Sequence, residues 1–347
     1  MNTIKKLLLP VLVVVAIGVL LELGLRIAGI TPTQGPISAD LATYDKGYGI
    51  WTPDQELIAK NVPSLPHKIR INSAGYRGVE FDTQKSPDEF RVFMVGDSFT
   101  FGTSVDEAET LVYQIDQKLK KACDKERVTL INAGIMGSTI RGQTEMVMRG
   151  MPLNPDVVVL VFTETDIPEL TNPLWDRITE NRIAKSKFPV SVFWPIVRDT
   201  AIFALIAKIR DSGAIKMHQE NELIEDSAAE SVHAELRRVY LKELNDLALK
   251  IEEEESKFIV ATFPGSHTTR GEPYIDTMVW AMQEFPKHVT TINLLAPLRQ
   301  ALEDNTDRAY FLPEDGHPSK LGYEVAAATI ARQLMLHPEL QNRCSDS

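Results

Sequence analysis

The chain has 347 residues, 44% of them hydrophobic and 24% charged, a composition that supports a large buried core and excludes disorder as the organising state. Its formal net charge of −11, with no clustered Lys and Arg to neutralise phosphates, excludes nucleic acid as a partner of the bulk surface and favours a small or neutral substrate. Cys123 and Cys344, the two cysteines, are too far apart to form a disulfide framework or a metal site, and their pairing with each other stays open.

The first element is apolar. Lys5 and Lys6 precede an uncharged run from Leu7 to Leu21, which continues through Glu22 and Arg26 to about Ile30. At a rise of about 1.5 Å per residue this stretch reaches roughly the 30 Å of a bilayer's hydrocarbon core. Glu22 and Arg26, four residues apart, are spaced to pair. A signal anchor, a cleaved signal peptide and a buried soluble helix compete for this segment. A lysine-led, uncapped apolar run argues against the buried helix. Ala28 and Gly29, with Arg26 just upstream, make no clean small-x-small cleavage site, so an uncleaved transmembrane anchor over residues 1–30 is preferred. The positive-inside tendency then places the rest of the chain outside the cytoplasm, on a periplasmic or extracellular face.

Residues 31–88 are rich in Pro, Gly, Ser and Asp. They read as a linker that becomes ordered on a domain edge around "HKIRINSAGYRG", with Gly75 and Gly78 marking turns. From Phe90 onward, short apolar runs predict five strands: "FRVFMVGDSF", "VTLINAG", "DVVVLVFTE", "KFIVATFPG" and "HVTTINLL". Helical patterns fall at 105–121, 139–150, 233–256, 272–285 and 319–336. The alternation predicts a three-layer α/β/α domain over residues 89–340, with a parallel sheet covered on both faces and ligands bound beyond the carboxyl ends of its strands.

Residues 167–232 interrupt the alternation with the apolar "FPVSVFWPIVRDTAIFALIAKI" and the acidic "QENELIEDSAAES". Arg198, Asp199 and Lys208 make the apolar part unsuitable as a second membrane span, so it reads as a helical insertion packed on the domain or over its cleft. A role resting on a membrane lacks the basic face such helices usually carry. The acidic run reads as solvated surface, and residues 341–347 as a polar tail.

Three stretches carry chemistry. Ser98 follows the first strand by two residues, and its hydroxyl is a nucleophile only if a positioned base takes the proton. His317 supplies a base in "YFLPEDGHPSKLGY", a loop that enters the last helix and opens on the same sheet edge as Ser98. Asp315, two residues earlier, is placed to hold the imidazole and stabilise its charged form. The competing reading is that Asp315 and Ser319 simply cap the last helix. For a developing oxyanion, the N–H of Ser98 and a glycine N–H from "LINAGIMGST" are available. Gly137 is the preferred donor, and Gly134 is read as making the turn.

Gly96-Asp97-Ser98, the "NAGIMG" block and the Asp-His pair before the last helix resemble blocks I, II and V of the SGNH hydrolases, also called the GDSL family. With the N-terminal apolar segment, "RINSAGYRG" and "FLPEDGHPSKLGY", the layout resembles the membrane-anchored bacterial branch over nearly the whole chain. The resemblance implies a flavodoxin-like SGNH-hydrolase fold, Ser98 as nucleophile, His317 as base and Asp315 as its orienting acid. It also implies Gly137 as an oxyanion donor and needs no metal or organic cofactor. The family's acid often lies three residues before the histidine, which leaves Glu314 as the alternative.

Block III departs from the family pattern. In "VFTETDI", Glu164 stands where a glycine is expected and Thr165 where an asparagine donates to the oxyanion; Asp166 alone agrees. Losing such a donor costs about 2.7–4 kcal/mol of transition-state stabilisation, unless the Thr165 hydroxyl replaces it. Glu164, if ionised and facing the pocket, opposes the developing charge.

Three functions follow as expectations. The first is a membrane-anchored serine esterase acting on O-acyl, chiefly acetyl, esters through an acyl-enzyme on Ser98. The second is an O-acetyltransferase or deacetylase of a cell-envelope polysaccharide. The third is a catalytically weakened SGNH fold that binds a glycan or a partner.

Overall fold

The computed structural model describes residues 2–30, 42–45, 48–59, 67–123, 128–171, 173, 175–176, 180, 183–184, 186–197, 200–206, 209, 227–270, 275–313 and 316–345. The chain divides into two compact units, Met1–Pro36 with Glu180–Glu230, and Ile37–Thr179 with Ser231–Ser347.

The smaller unit is helical. The apolar N-terminal segment forms the helix Asn2–Ile27. Glu22 pairs with Arg26 at 2.7 Å, and its carboxylate also accepts the backbone N–H groups of Ala201 and Ile202. Against the expectation of a transmembrane anchor over residues 1–30, among the described residues no helix is long and apolar enough to cross a membrane. The apolar part of the expected insertion forms the helix Val190–Val197 and a second helical turn pair at 201–206. Its acidic run up to Asp226 lies outside the described residues. The insertion is narrower than the expected 167–232, because Ile167 and Trp175 are buried in the core of the larger unit.

The larger unit begins with two antiparallel pairs, β1 (Ala42–Asp45) with β2 (Tyr48–Trp51), and β3 (Gln55–Ala59) with β4 (His67–Ile71). Part of the stretch expected to be linker is therefore core: Trp51, Ile69 and Ile71 are fully buried. A residue pattern rich in turn formers hid this, since isolated apolar residues between Gly and Pro give no period to read.

The main sheet comprises β5 (Phe90–Gly96), β6 (Val128–Gly134), β7 (Val157–Thr163), β8 (Lys257–Phe263) and β9 (Thr290–Asn293). All pairings are parallel, in the order β6-β5-β7-β8-β9. β5 and β7 are buried at every position, as strands covered by helices on both faces are; β7 is apolar up to Thr163, and Arg91 of β5 is paired with Glu89. Their side chains alternate between two cores. Phe93 and Val95 join the core under the helices Ile140–Gly150, Ser227–Glu253 and Ile275–Glu284. Val92 and Met94 join that under Leu111–Ala122, Leu295–Asp304 and Lys320–Leu334. The result is a three-layer α/β/α domain of flavodoxin-like strand order, whose switch point lies between β5 and β7.

Two elements differ from expectation. The run "HVTTINLL" ends its strand at Asn293, whose side chain accepts the Leu295 N–H and starts the helix Leu295–Asp304. A short apolar run does not show where strand gives way to helix. The expected polar tail is largely the helix Pro338–Ser345, held by fully buried Leu340 and by a disulfide between Cys344 and Cys123. The two cysteines, 221 residues apart in sequence, do pair.

Candidate active site

β5 delivers Ser98 to the carboxyl edge of the sheet at the switch point. A helical turn, Ser98–Phe101, starts immediately, and its cap is Asp97, whose Oδ1 accepts the Phe99 N–H at 2.8 Å. Ser98 is thus the first residue of a helix and not its cap; its N–H has no acceptor within the helix and its hydroxyl is not consumed in capping. The turn lies directly on β5 and β6. A side chain at Gly96 would meet the Thr100 hydroxyl at 2.2 Å, and one at Gly134 the Phe101 nitrogen at 2.2 Å. Gly134 therefore does more than make a turn: it lets the Ser98–Phe101 helix sit against β6.

His317 comes to the same edge from the loop before the helix Lys320–Leu334. Its Nε2 lies 2.8 Å from Ser98 Oγ, and Phe99 packs against its ring with centroids 5.4 Å apart. The loop is tight. Leu312 N–H donates to the His317 carbonyl, Gly316 N–H to the Leu312 carbonyl, and Gly316 takes a left-handed φ of 73° that favours glycine. Capping of the helix Lys320–Leu334 falls to Ser319, which accepts the N–H groups of Leu321 and Gly322, so the His317 ring is not drawn into the cap. Asp315 and Glu314, the two acids considered as its partner, lie outside the described residues.

The turn after β6 carries Gly137 at φ 65° and is fixed from several sides. Ile135 N–H donates to the Gly96 carbonyl, Trp51 Nε1 to the Gly134 carbonyl at 2.8 Å and Trp175 Nε1 to the Met136 carbonyl at 3.0 Å. Two buried indoles thus hold the carbonyls on either side of Ile135, which sets the direction of the following N–H groups.

Block III resolves into local structure. Thr163 and Asp166 form a reciprocal capping box, in which Asp166 accepts the Thr163 N–H at 2.8 Å. The Thr163 hydroxyl donates to Asp97 Oδ2 at 2.9 Å and lies 3.0 Å from the Thr165 hydroxyl. A hydroxyl has one proton. With Thr163 donating to Asp97, Thr165 donates to Thr163, and the proton expected to serve an oxyanion points backward into this chain. The Glu164 carboxylate is also held in a structural bond. Its Oε2 accepts the Gly265 N–H at 2.9 Å, and a Cβ at Gly265 would strike that carboxylate.

No protein-family model matches the sequence, and no curated protein matches it. Among solved structures, the chain is similar to a member of the lipolytic protein G-D-S-L family from Veillonella parvula, at 13% identity and a TM-score of 0.40, over 71% of this chain and 99% of that one. It is similar to a GDSL-like lipase from Bacteroides thetaiotaomicron at 12% identity and a TM-score of 0.38, over 72% of this chain and 90% of that one. A two-domain esterase active on acetylated mannans aligns at 13% identity and a TM-score of 0.39, over 75% of this chain and 50% of that one.

Electrostatically, the floor of the site is a buried acidic layer. Burial pushes the Asp97 carboxyl up, opposed by the Phe99 N–H, the Thr163 hydroxyl and the charge of His317. Asp166, fully buried and also bonded by Gln143 Nε2 at 2.9 Å, is held well above the carboxylate range by burial and by Asp97. Burial likewise raises Glu164, with the Gly265 N–H partly offsetting it.

Four residues of this neighbourhood carried little signal in the sequence. Arg77, buried, donates to the carbonyls of Phe101 and Val105 at 2.8 Å and also to that of Gly102, closing the far end of the Ser98 turn; burial pushes its pKa down to about 10. Trp51 and Trp175 act through backbone groups that no motif specifies. Thr163 was visible in principle, because Thr-x-x-Asp is the spacing of a capping box.

Proposed function

We propose that the chain is a serine hydrolase of the SGNH/GDSL type, acting on O-acyl esters through an acyl-enzyme on Ser98. The observation that carries the reading is the 2.8 Å contact between Ser98 Oγ and His317 Nε2 at the switch point of a parallel sheet, where a histidine has no packing reason to meet a serine 219 residues away. In this reading His317 Nε2 takes the Ser98 proton as Oγ attacks the acyl carbon. The carbonyl oxygen becomes an oxyanion facing the N–H groups of Ser98 and Gly137, and the imidazolium then protonates the leaving alkoxide. A second hydroxyl, from water, repeats the cycle and releases the acid. Buried Asp97 attracts the imidazolium, and the ring-orienting role is assigned to Asp315, with Glu314 as the alternative.

The membrane-anchored, extracytoplasmic setting belongs to the same proposal. It is supported by Lys5 and Lys6 ahead of the apolar Leu7–Ile30 stretch, and by the Cys123–Cys344 disulfide, a bond that persists in oxidising compartments. The acceptor, water or a hydroxyl of an envelope glycan, is set by what enters after acylation, and acetyl release with and without added glycan separates them.

A catalytically weakened site that binds a glycan or partner is favoured by one observation, the backward-pointing Thr165 hydroxyl. A fluorophosphonate probe decides between them. Covalent labelling of the wild-type chain that vanishes in Ser98→Ala and falls steeply in His317→Gln is expected. Labelling equal to that of Ser98→Ala would overturn the hydrolase reading.

A further inference from the structure

Most of the large apolar side chains exposed among the described residues lie in the smaller unit. Some belong to the helix Asn2–Ile27, and the rest lie in the insertion, where Phe188 is 82% exposed, Ile196 67%, Ile206 57% and Phe193 58%. From Phe188 to Ile206 no described side chain is charged; Arg198 and Asp199, adjacent and opposite in sign, fall outside the described residues. Helix Val190–Val197 exposes apolar groups around much of its circumference, and Trp194 packs edge-on against Phe203 of the 201–206 segment, 5.1 Å between centroids. A helix apolar all round is built for a surrounding apolar medium.

The polar groups of this unit are arranged accordingly. Glu22 is the acid within the apolar N-terminal stretch. Its carboxylate is satisfied by Arg26 and by the N–H groups of Ala201 at 2.8 Å and Ile202 at 3.1 Å. Those are N–H groups at the start of the 201–206 helix, which have no intrahelical partner. One carboxylate therefore neutralises its own charge and caps the insertion's second helix, the economy demanded where no water is at hand.

We propose that the apolar side chains of residues 188–197 and 200–206 insert into lipid acyl chains beside the N-terminal helix, so that the unit is a two-part membrane module with Glu22 as its joint. The proposal rests on the anchoring reading above, and the occupant it commits to is bilayer hydrocarbon. That follows from continuity with the apolar N-terminal helix and from the uncharged, largely exposed side chains described between Phe188 and Ile206.

Trp194 is a native reporter. The full-length chain is reconstituted into phosphatidylcholine vesicles with plain or brominated acyl chains, floated, and its tryptophan emission compared with that of Trp194→Phe. Loss of the Trp194 component in brominated vesicles is expected, since Trp51 and Trp175 are buried in the other unit and Trp280 packs there against Phe285, so the difference from Trp194→Phe isolates Trp194. The double variant Phe193→Asp, Ile196→Asp is expected to float still while Trp194 regains its emission. A chain that floats with Trp194 unquenched overturns the proposal, leaves anchoring by the N-terminal helix intact and assigns the face to a protein partner. Quenching unchanged in the double variant also overturns it. A chain that does not float overturns both readings.

Discussion

Arg77→Met deletes the guanidinium that closes the Ser98 turn while keeping a side chain of similar length. Three N–H···O=C bonds, to Phe101, Gly102 and Val105, are lost. At about 1.5–3 kcal/mol each for a charged donor, they sum to roughly 6 kcal/mol. Against this stands the desolvation of the buried charge, which lowers the Arg77 pKa from 12.5 to about 10. A drop of that size is worth roughly 3 kcal/mol, returned when the charge is removed. Two of the carbonyls keep a weaker second donor, Asn132 Nδ2 at 3.4 Å for Phe101 and the Val105 N–H at 3.4 Å for Gly102. The variant is therefore expected to be about 3 kcal/mol less stable, within reach of urea unfolding followed by the emission of buried Trp51 and Trp175. The turn also positions Ser98 against His317. Fluorophosphonate labelling under native conditions is expected to slow at least about tenfold, because small misplacements of a nucleophile cost that much or more. Arg77→Lys, which restores one donor, is expected to lie between. A wild-type unfolding midpoint together with a wild-type labelling rate in Arg77→Met would refute the reasoning, since both rest on the same three bonds.

Thr165→Asn supplies an amide donor where the Thr165 hydroxyl is directed to Thr163. Hydrolysis of p-nitrophenyl acetate is expected to rise about tenfold or more, with a full oxyanion donor worth roughly 10²–10³ in kcat; a fall would show that Thr165 already serves the site. The Asp166 carboxyl binds its proton more tightly folded than unfolded, so its contribution to stability is fully present in acid. It declines as pH rises from the unfolded carboxylate value of about 3.9 through the raised folded one. Asp166→Asn is expected to flatten that decline in melting temperature measured from about pH 4 to 8, whatever constant offset the amide imposes, and a profile parallel to the wild type would refute it. Replacing Cys123 and Cys344 by Ser is expected to cost about 2–4 kcal/mol in urea unfolding. Alkylation of both cysteines in the unfolded, unreduced wild-type chain would show that the bond is absent.

Much of this protein is legible in the order of its residues. A short Val-rich run bounded by polar residues, such as "DVVVLVFTE", reads as a strand buried on both faces, and all seven positions of β7 are buried. Strand-helix alternation then dictates a parallel sheet and the edge where Ser98 and His317 open. The helix Leu295–Asp304 was missed because "HVTTINLL" is apolar through the strand and into the helix, and periodicity is silent at such a junction. Arg77 and the two indoles were missed because they bind main-chain carbonyls, and a carbonyl has the same chemistry at every residue.

The sequence by itself determined the residue types that chemistry requires, a serine after the first strand and a histidine before the last helix, and the apolar patterns that bring both to one edge. Only the tertiary structure decided which proton goes where. Thr165 reads as a short replacement for an asparagine until Thr163, held by its own capping box with Asp166, brings its hydroxyl to Asp97 and turns the Thr165 proton away. Gly134 reads as a turn until the Phe101 backbone is seen against it. A hydrogen bond depends on ångströms between groups far apart in the chain, whereas strand, helix and layer depend on patterns of neighbours, and only the latter are written along the sequence.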